Sequence, residues 1–117
     1  MGEQLHTSEI DLEVLSRGWS DWLRFAEVVQ LFREAGSAAP REDSILWVLR
    51  FCSEGVLEAG NYDIQGLNKW PERGRELESR MREWLVPDPR DPLGAVMNLM
   101  FDLTAIGRRL IPDELQF

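Results

Sequence analysis

Glycine and proline punctuate this chain so often that no segment is long enough for an extended rod. Gly18, Gly36, Pro40, Gly55, Gly60, Pro71, Pro87, Pro89, Pro92 and Pro112 leave only short stretches between them. Each stretch has room for a helix of a few turns or for a strand, but not for a coiled coil or a membrane span. Short amphipathic pieces must pack against one another to bury their apolar faces, so a small layered domain is expected. The length, 117 residues, suits one such domain over 1–117, with 1–7 expected to fray and 112–117 to form a tail. A hydrophobic fraction of 44% beside 29% charged residues is globular composition, not that of a disordered chain. Met1 to Asp11 has neither the basic nor the apolar region of a secretory signal, so a cytoplasmic location is expected.

The segments read as follows. Ser8 and Asp11 resemble a capping pattern before Ile10, Val14 and Leu15, which predicts a short helix ending at Gly18. Ser20 as N-cap, then Trp22, Phe25, Ala26, Val29 and Phe32 on one face, predict a second helix closed by Gly36. Pro40 at the first turn and the stripe Ile45, Val48, Leu49 and Cys52 predict a third, closed by Gly55. Residues 56–59 read as a short strand stopped by a Gly60-Asn61 turn. Pro71 opens a fourth helix, with Leu77, Met81, Trp84 and Leu85 inward and the acid-first pairs Glu76–Arg80 and Glu78–Arg82 outward. Met97, Leu99, Phe101 and Leu103 alternate with other residues, which predicts a strand. Thr104 then caps a short helix over 105–111, in which Gly107 is a weak point.

Three helices, a strand, a helix, a strand and a short helix make an α+β domain, mainly helical, with a small antiparallel sheet. The order of the second and third helices and the following strand is that of a winged helix-turn-helix. The tight hairpin wing is expected to be absent, because residues 60–92 intervene and carry a helix.

The segments ILWVLRFCSEGVLEAGNYD, GLNKWPERGRELESRMREW and MFDLTAIGRRL resemble a group of small bacterial winged-helix-like proteins. The matching positions are Gly55, Leu57, Glu58, Gly60, Gly66, Leu67, Trp70, Trp84, Phe101, Leu103, Thr104 and Gly107, and the resemblance spans roughly residues 8–111. Leu67 stands where an aromatic residue is expected, and Met100 where a Trp is. The resemblance implies the fold and hands over no activity. By analogy with small acidic proteins of this kind, it suggests an immunity protein, or antitoxin, that neutralises a bacterial toxin.

The formal net charge is −8, and it is unevenly placed. Residues 1–63 hold 12 acids and 5 bases, whereas residues 64–117 hold 9 acids and 8 bases. If the first sixty residues fold into one anionic face, that face repels a polyphosphate and steers a basic partner inward. The third helix, which would be the recognition helix of a winged helix, sets Arg41 and Arg50 against Glu42, Asp43 and Glu54. Duplex binding is therefore disfavoured. Arg73, Arg75, Arg80 and Arg82 on the fourth helix are interleaved with Glu72, Glu76, Glu78 and Glu83, which reads as a self-paired face.

No catalytic constellation emerges. His6 is the only histidine, and Cys52, the only thiol, lies on an apolar stripe where it reads as a small hydrophobe. One cysteine excludes an internal disulfide and a Cys-based zinc site, and there is neither a glycine-rich phosphate loop nor a calcium loop. The expectation is accordingly no enzyme, no cofactor and no metal. Five Trp residues are available as core or as anchors. Trp22 and Trp84 fall on apolar stripes, while Trp47 and Trp70 do not, which makes the latter two the candidate interface anchors. The functional expectation is a protein-binding inhibitor of immunity type that occludes a basic toxin domain through Asp21, Glu42, Asp43, Glu54, Glu58 and Asp63, with Trp47 and Trp70. The alternatives are a winged-helix transcriptional regulator and a phage-type inhibitor that mimics nucleic-acid charge.

Overall fold

The computed structural model describes Asp11, Leu15, residues 22–91 and residues 93–110. Asp11 and Leu15 are helical and buried. The rest of the first predicted helix, the Ser20 cap, His6, Trp19 and the candidate Asp21 lie outside the described residues.

A two-residue strand, β1 (Leu23–Arg24), precedes helix α1 (Phe25–Glu34). The predicted second helix thus begins later than its apolar stripe suggests. Its start is set at Arg24, whose backbone N–H donates to the Glu27 carboxylate at 2.9 Å. Helix α2 (Pro40–Ser53) follows, with Pro40 in its first turn as expected. Strands β2 (Leu57–Asp63) and β3 (Gly66–Lys69) then form an antiparallel hairpin, Asp63 opposite Gly66 and Gly60 opposite Lys69. Helix α3 (Gly74–Trp84), the short helix α4 (Gly94–Asn98), strand β4 (Leu99–Leu103) and helix α5 (Ala105–Arg109) complete the described chain. The fold is α+β, with one four-stranded antiparallel sheet in the order β1-β4-β2-β3.

The hairpin corrects two expectations. A wing-like hairpin does follow α2, and its turn is Ile64-Gln65, not Gly60-Asn61. Asp63 at the first position and Gly66 at the fourth suit a type I turn closed by a left-handed residue, and Gly66 has φ +108°. Asp63 stiffens the turn, accepting from the Gln65 backbone N–H at 2.8 Å and from Asn68 Nδ2 at 2.5 Å. Gly60 lies inside β2 for a different reason. A Cβ there would stand 2.5 Å from the Asn68 carbonyl oxygen of the neighbouring strand, so close backbone approach demands glycine.

Two boundaries on the C-terminal side also differ. Residues 70–73 precede α3 without regular secondary structure, and Met97 lies within α4 instead of opening β4. Two other expectations for this region, one long-range and one local, are met. β4 pairs antiparallel with β2, Leu57 opposite Leu103 and Ala59 opposite Phe101. Thr104 caps α5, its Oγ1 accepting from the Gly107 N–H at 3.1 Å.

Register separates the faces of the sheet. Leu23, Leu57, Ala59, Leu99, Phe101 and Leu103 point to one side and join Val28, Val48, Phe51, Leu77 and Met81 in the core. Arg24, Glu58, Gly60, Tyr62, Leu67, Lys69, Met100 and Asp102 share the other side. Helices α1 and α2 pack on each other, and α2 is also held against α3 and β2. That sandwiched position decides the fate of Trp47. A helix covered on several sides buries residues off its main stripe, and Ser44, Ile45, Trp47, Val48, Phe51 and Cys52 are all buried, while Leu46 stays 53% exposed.

Candidate functional site

The five candidate carboxylates among the described residues, Glu42, Asp43, Glu54, Glu58 and Asp63, each have partners within the fold. Glu42 at the start of α2 meets Arg82 of α3 in a two-pronged pair, Nη1 to Oε1 at 3.0 Å and Nη2 to Oε2 at 2.8 Å. That hydrogen-bonded contact holds the Glu42 carboxyl below its usual range and raises the Arg82 guanidinium. Arg82 also reaches Glu78 at 3.0 Å, the one predicted i,i+4 pair that forms. Arg80 turns instead to Glu72 at 2.7 Å, which lowers the Glu72 carboxyl, and lies 4.2 Å over the Trp70 ring. Asp43 accepts from Ser37 Oγ at 2.5 Å in the turn before α2. Glu54 lies 3.7 Å from Arg50. Glu58 pairs with Lys69 at 2.7 Å across the hairpin, and Lys69 also lies 3.7 Å from Asp102. Asp63 is committed to the turn.

The charge bookkeeping explains this. Six of the 21 acids and one of the 13 bases lie outside the described residues. The described part therefore holds 15 carboxylates against 12 bases and has enough cations to neutralise most of its acids in place. Among the described residues of 1–63, Asp11, Glu42, Glu54 and Glu58 lie in local ion pairs with Arg50, Arg82, Arg50 and Lys69 in place of forming one unpaired anionic face. The arginines are scattered likewise. On α2, Arg50 faces Asp11 and Glu54, and Arg41 donates to the Leu85 carbonyl, so no continuous basic ridge runs along that helix.

Trp47 and Trp70 are 6% and 2% exposed, which corrects their reading as surface anchors. Each indole N–H is satisfied inside, Trp47 on Asp11 Oδ1 at 2.7 Å and Trp70 on Asn61 Oδ1 at 2.8 Å. Trp70 also meets Trp84 edge to face at 5.7 Å, and Trp84 donates to the Ala95 carbonyl at 2.9 Å. Cys52 is 4% exposed, and burial pushes its thiol up to about 12, which makes it a poor nucleophile. Among the described residues no three His, Cys, Asp or Glu side chains gather as metal ligands, and no helix is long and apolar enough to cross a membrane.

The feature that sequence reasoning missed lies on the outward side of the hairpin. Trp22, just before β1, packs on Tyr62 of β2 with ring centroids 5.5 Å apart. Tyr62 stands opposite Leu67 and is 44% exposed. At the tip, Ile64 is 98% exposed on a turn that Asp63 holds rigid. Ile64 at the tip and Tyr62, whose ring is tilted at 55° against Trp22, thus leave apolar surface exposed on the hairpin. Around it the charge is mixed: Asp63, Glu58 and Asp102 against Lys69 and Arg24. The signal that would have found it is the run Asp63-Ile-Gln-Gly66, a type I turn signature with an isoleucine where polar residues are usual. No protein-family model, no curated protein and no solved structure matches this chain.

Proposed function

We propose that this protein acts by binding another protein and blocking it, as an inhibitor of immunity type, with the β2–β3 hairpin as the inserting element. The observation that carries the reading is Ile64, 98% exposed at the end of a turn braced by Asp63, with half-exposed Tyr62 of the same hairpin packed against Trp22. A stiff hairpin loses little conformational entropy on docking, so an isoleucine at its tip can enter a partner's cleft cheaply. Glu58 and Asp63, two of the acids expected to face a basic partner, lie on this same hairpin. Glu42, Asp43 and Glu54 belong to α2 or its flanks and are engaged within the fold. The inert thiol of Cys52 and the pairing of the carboxylates support a binding role over a catalytic one.

The test is capture of the native partner by the tagged full chain, followed by assay of whatever activity the captured protein has. Wild-type protein is expected to bind it at one-to-one stoichiometry and block it. Ile64→Asp and Tyr62→Ala are expected to weaken capture at least tenfold while leaving the fold intact, and Glu42→Gln is expected to leave it unchanged. Retention of the partner at full strength by both hairpin variants sinks the reading. Recovery of a specific DNA fragment in place of a protein points to a gene regulator.

A further inference from the structure

A second surface stands apart from the hairpin. Ala26, Val29, Gln30 and Arg33 recur at three- and four-residue spacing, so they form one stripe along α1. Leu93 and Val96, three apart at α4, face that stripe, and Arg41 from α2 closes one side. Together they enclose a groove of about 400 Å³. From Ala26 to Arg33 the stripe rises about 10 Å, the length over which a docked helix presents apolar anchors two turns apart, at i and i+7. The walls are aliphatic, and Leu93 is 67% exposed at the rim.

The charge in the groove is of one sign. Among the described residues, Arg33 and Arg41 are the charged ones that line it. Arg50, Lys69, Arg80 and Arg82 all meet carboxylates within 4 Å, in a chain with acids to spare. Among the described residues Arg33 and Arg41 meet none: Arg33 donates to Gln30 Oε1 at 3.3 Å, and Arg41 to the Leu85 carbonyl. Each guanidinium keeps further N–H donors for a ligand.

We propose that the groove between α1 and α4 receives an acidic amphipathic segment of a partner protein. Apolar side chains would lie on Val29 and Val96, and carboxylates would meet Arg33 and Arg41. The surface differs from the hairpin in place and in charge preference, so the proposal holds or fails independently of the hairpin reading.

Selection of a displayed library of random 12-residue peptides on the full chain tests it. Enriched peptides are expected to combine Asp or Glu with Leu, Ile or Phe. Their affinity, measured by fluorescence anisotropy, is expected to fall at least tenfold in Arg33→Glu and in Leu93→Asp, and to weaken as salt is raised. Leu93 is the N-cap of α4, a position that aspartate suits, and Arg33 is a side chain on the surface of α1, so both variants are expected to keep the fold, which circular dichroism checks. Ile64→Asp is expected to bind the same peptides as tightly as wild type. Peptides that lack acids, peptides that bind Arg33→Glu undiminished, or no enrichment at all would each overturn the proposal. So would decanoate binding with no enriched peptide, which would make this a site for a small fatty acid.

Discussion

The indole N–H of Trp47 donates to the Asp11 carboxylate at 2.7 Å, across 36 residues of chain, and both side chains are buried. Arg50 adds a second contact to the same carboxylate at 3.9 Å and lies 4.6 Å over the Phe51 ring. Burial of a carboxylate is tolerable only where donors replace water, and α2 supplies them.

Asp11→Ala leaves the Trp47 N–H buried without its acceptor. It is expected to cost about 1–3 kcal/mol, read as a lower midpoint in urea unfolding. Asp11→Asn keeps an acceptor oxygen and is expected to lose markedly less.

Two glycines are required by close backbone approach. A Cβ on Gly60 would meet the Asn68 carbonyl oxygen at 2.5 Å, and one on Gly107 would meet the Val56 carbonyl oxygen at 2.4 Å. Gly60→Ala and Gly107→Ala are each expected to destabilise by about 1–3 kcal/mol in denaturant unfolding. For Gly107 this reverses the gain that alanine ordinarily brings to a helix.

Stability is expected to fall at acid pH. Hydrogen bonding to Arg82 and Arg80 lowers the Glu42 and Glu72 carboxyls below their ordinary value of 4.5. Groups with depressed folded values stabilise above the unfolded value and lose that contribution as pH falls through the folded one. The urea midpoint should therefore decline below about pH 4.5, less steeply in Glu42→Gln. Lys69 behaves oppositely: Glu58 raises it above 10.5, so its contribution fades only at more alkaline pH. All three pairs are at least partly open to solvent, so added salt should flatten both limbs.

Cys52 should react only when the protein opens. With the thiol 4% exposed and pushed up to about 12, iodoacetamide labelling of native protein at pH 8 is expected to be very slow and to become complete in denaturant. Rapid native labelling would show that α2 opens locally.

Ile64→Asp is expected to leave the urea midpoint unchanged within about 0.5 kcal/mol, because the side chain touches little of the fold. That neutrality allows the loss of partner capture to be read as a contact effect.

Much of the architecture was legible along the chain. The apolar stripe Phe25, Ala26, Val29 and Phe32 predicted α1, although the buried face runs through Phe25, Val28 and Leu31. Pro40 announced α2, the alternation Met97, Leu99, Phe101, Leu103 announced β4 apart from Met97, and Thr104 announced α5. The hairpin was not, because Gly60-Asn61 has the composition of a turn while the true turn holds an isoleucine. Dipeptide composition does not separate a glycine needed for positive φ from one needed for clearance against the Asn68 carbonyl.

By itself the sequence determined the α+β class and the presence of α1, α2, β2, α3, β4 and α5, since periodicity, caps and breakers act over a few residues, whereas β1, β3 and α4 were not legible in it. The tertiary structure decided which tryptophans are core and which carboxylates are neutralised. Trp47 lies off the stripe of its helix yet is buried, because α2 is covered on more than one side. Glu42 finds Arg82 across 40 residues, and Glu58 finds Lys69 only because the strands between them fold into a hairpin. Coulomb energy depends on distance in space, so a count of acids along a segment could not reveal that packing would distribute them into pairs and leave an apolar tip, Ile64, as the exposed feature.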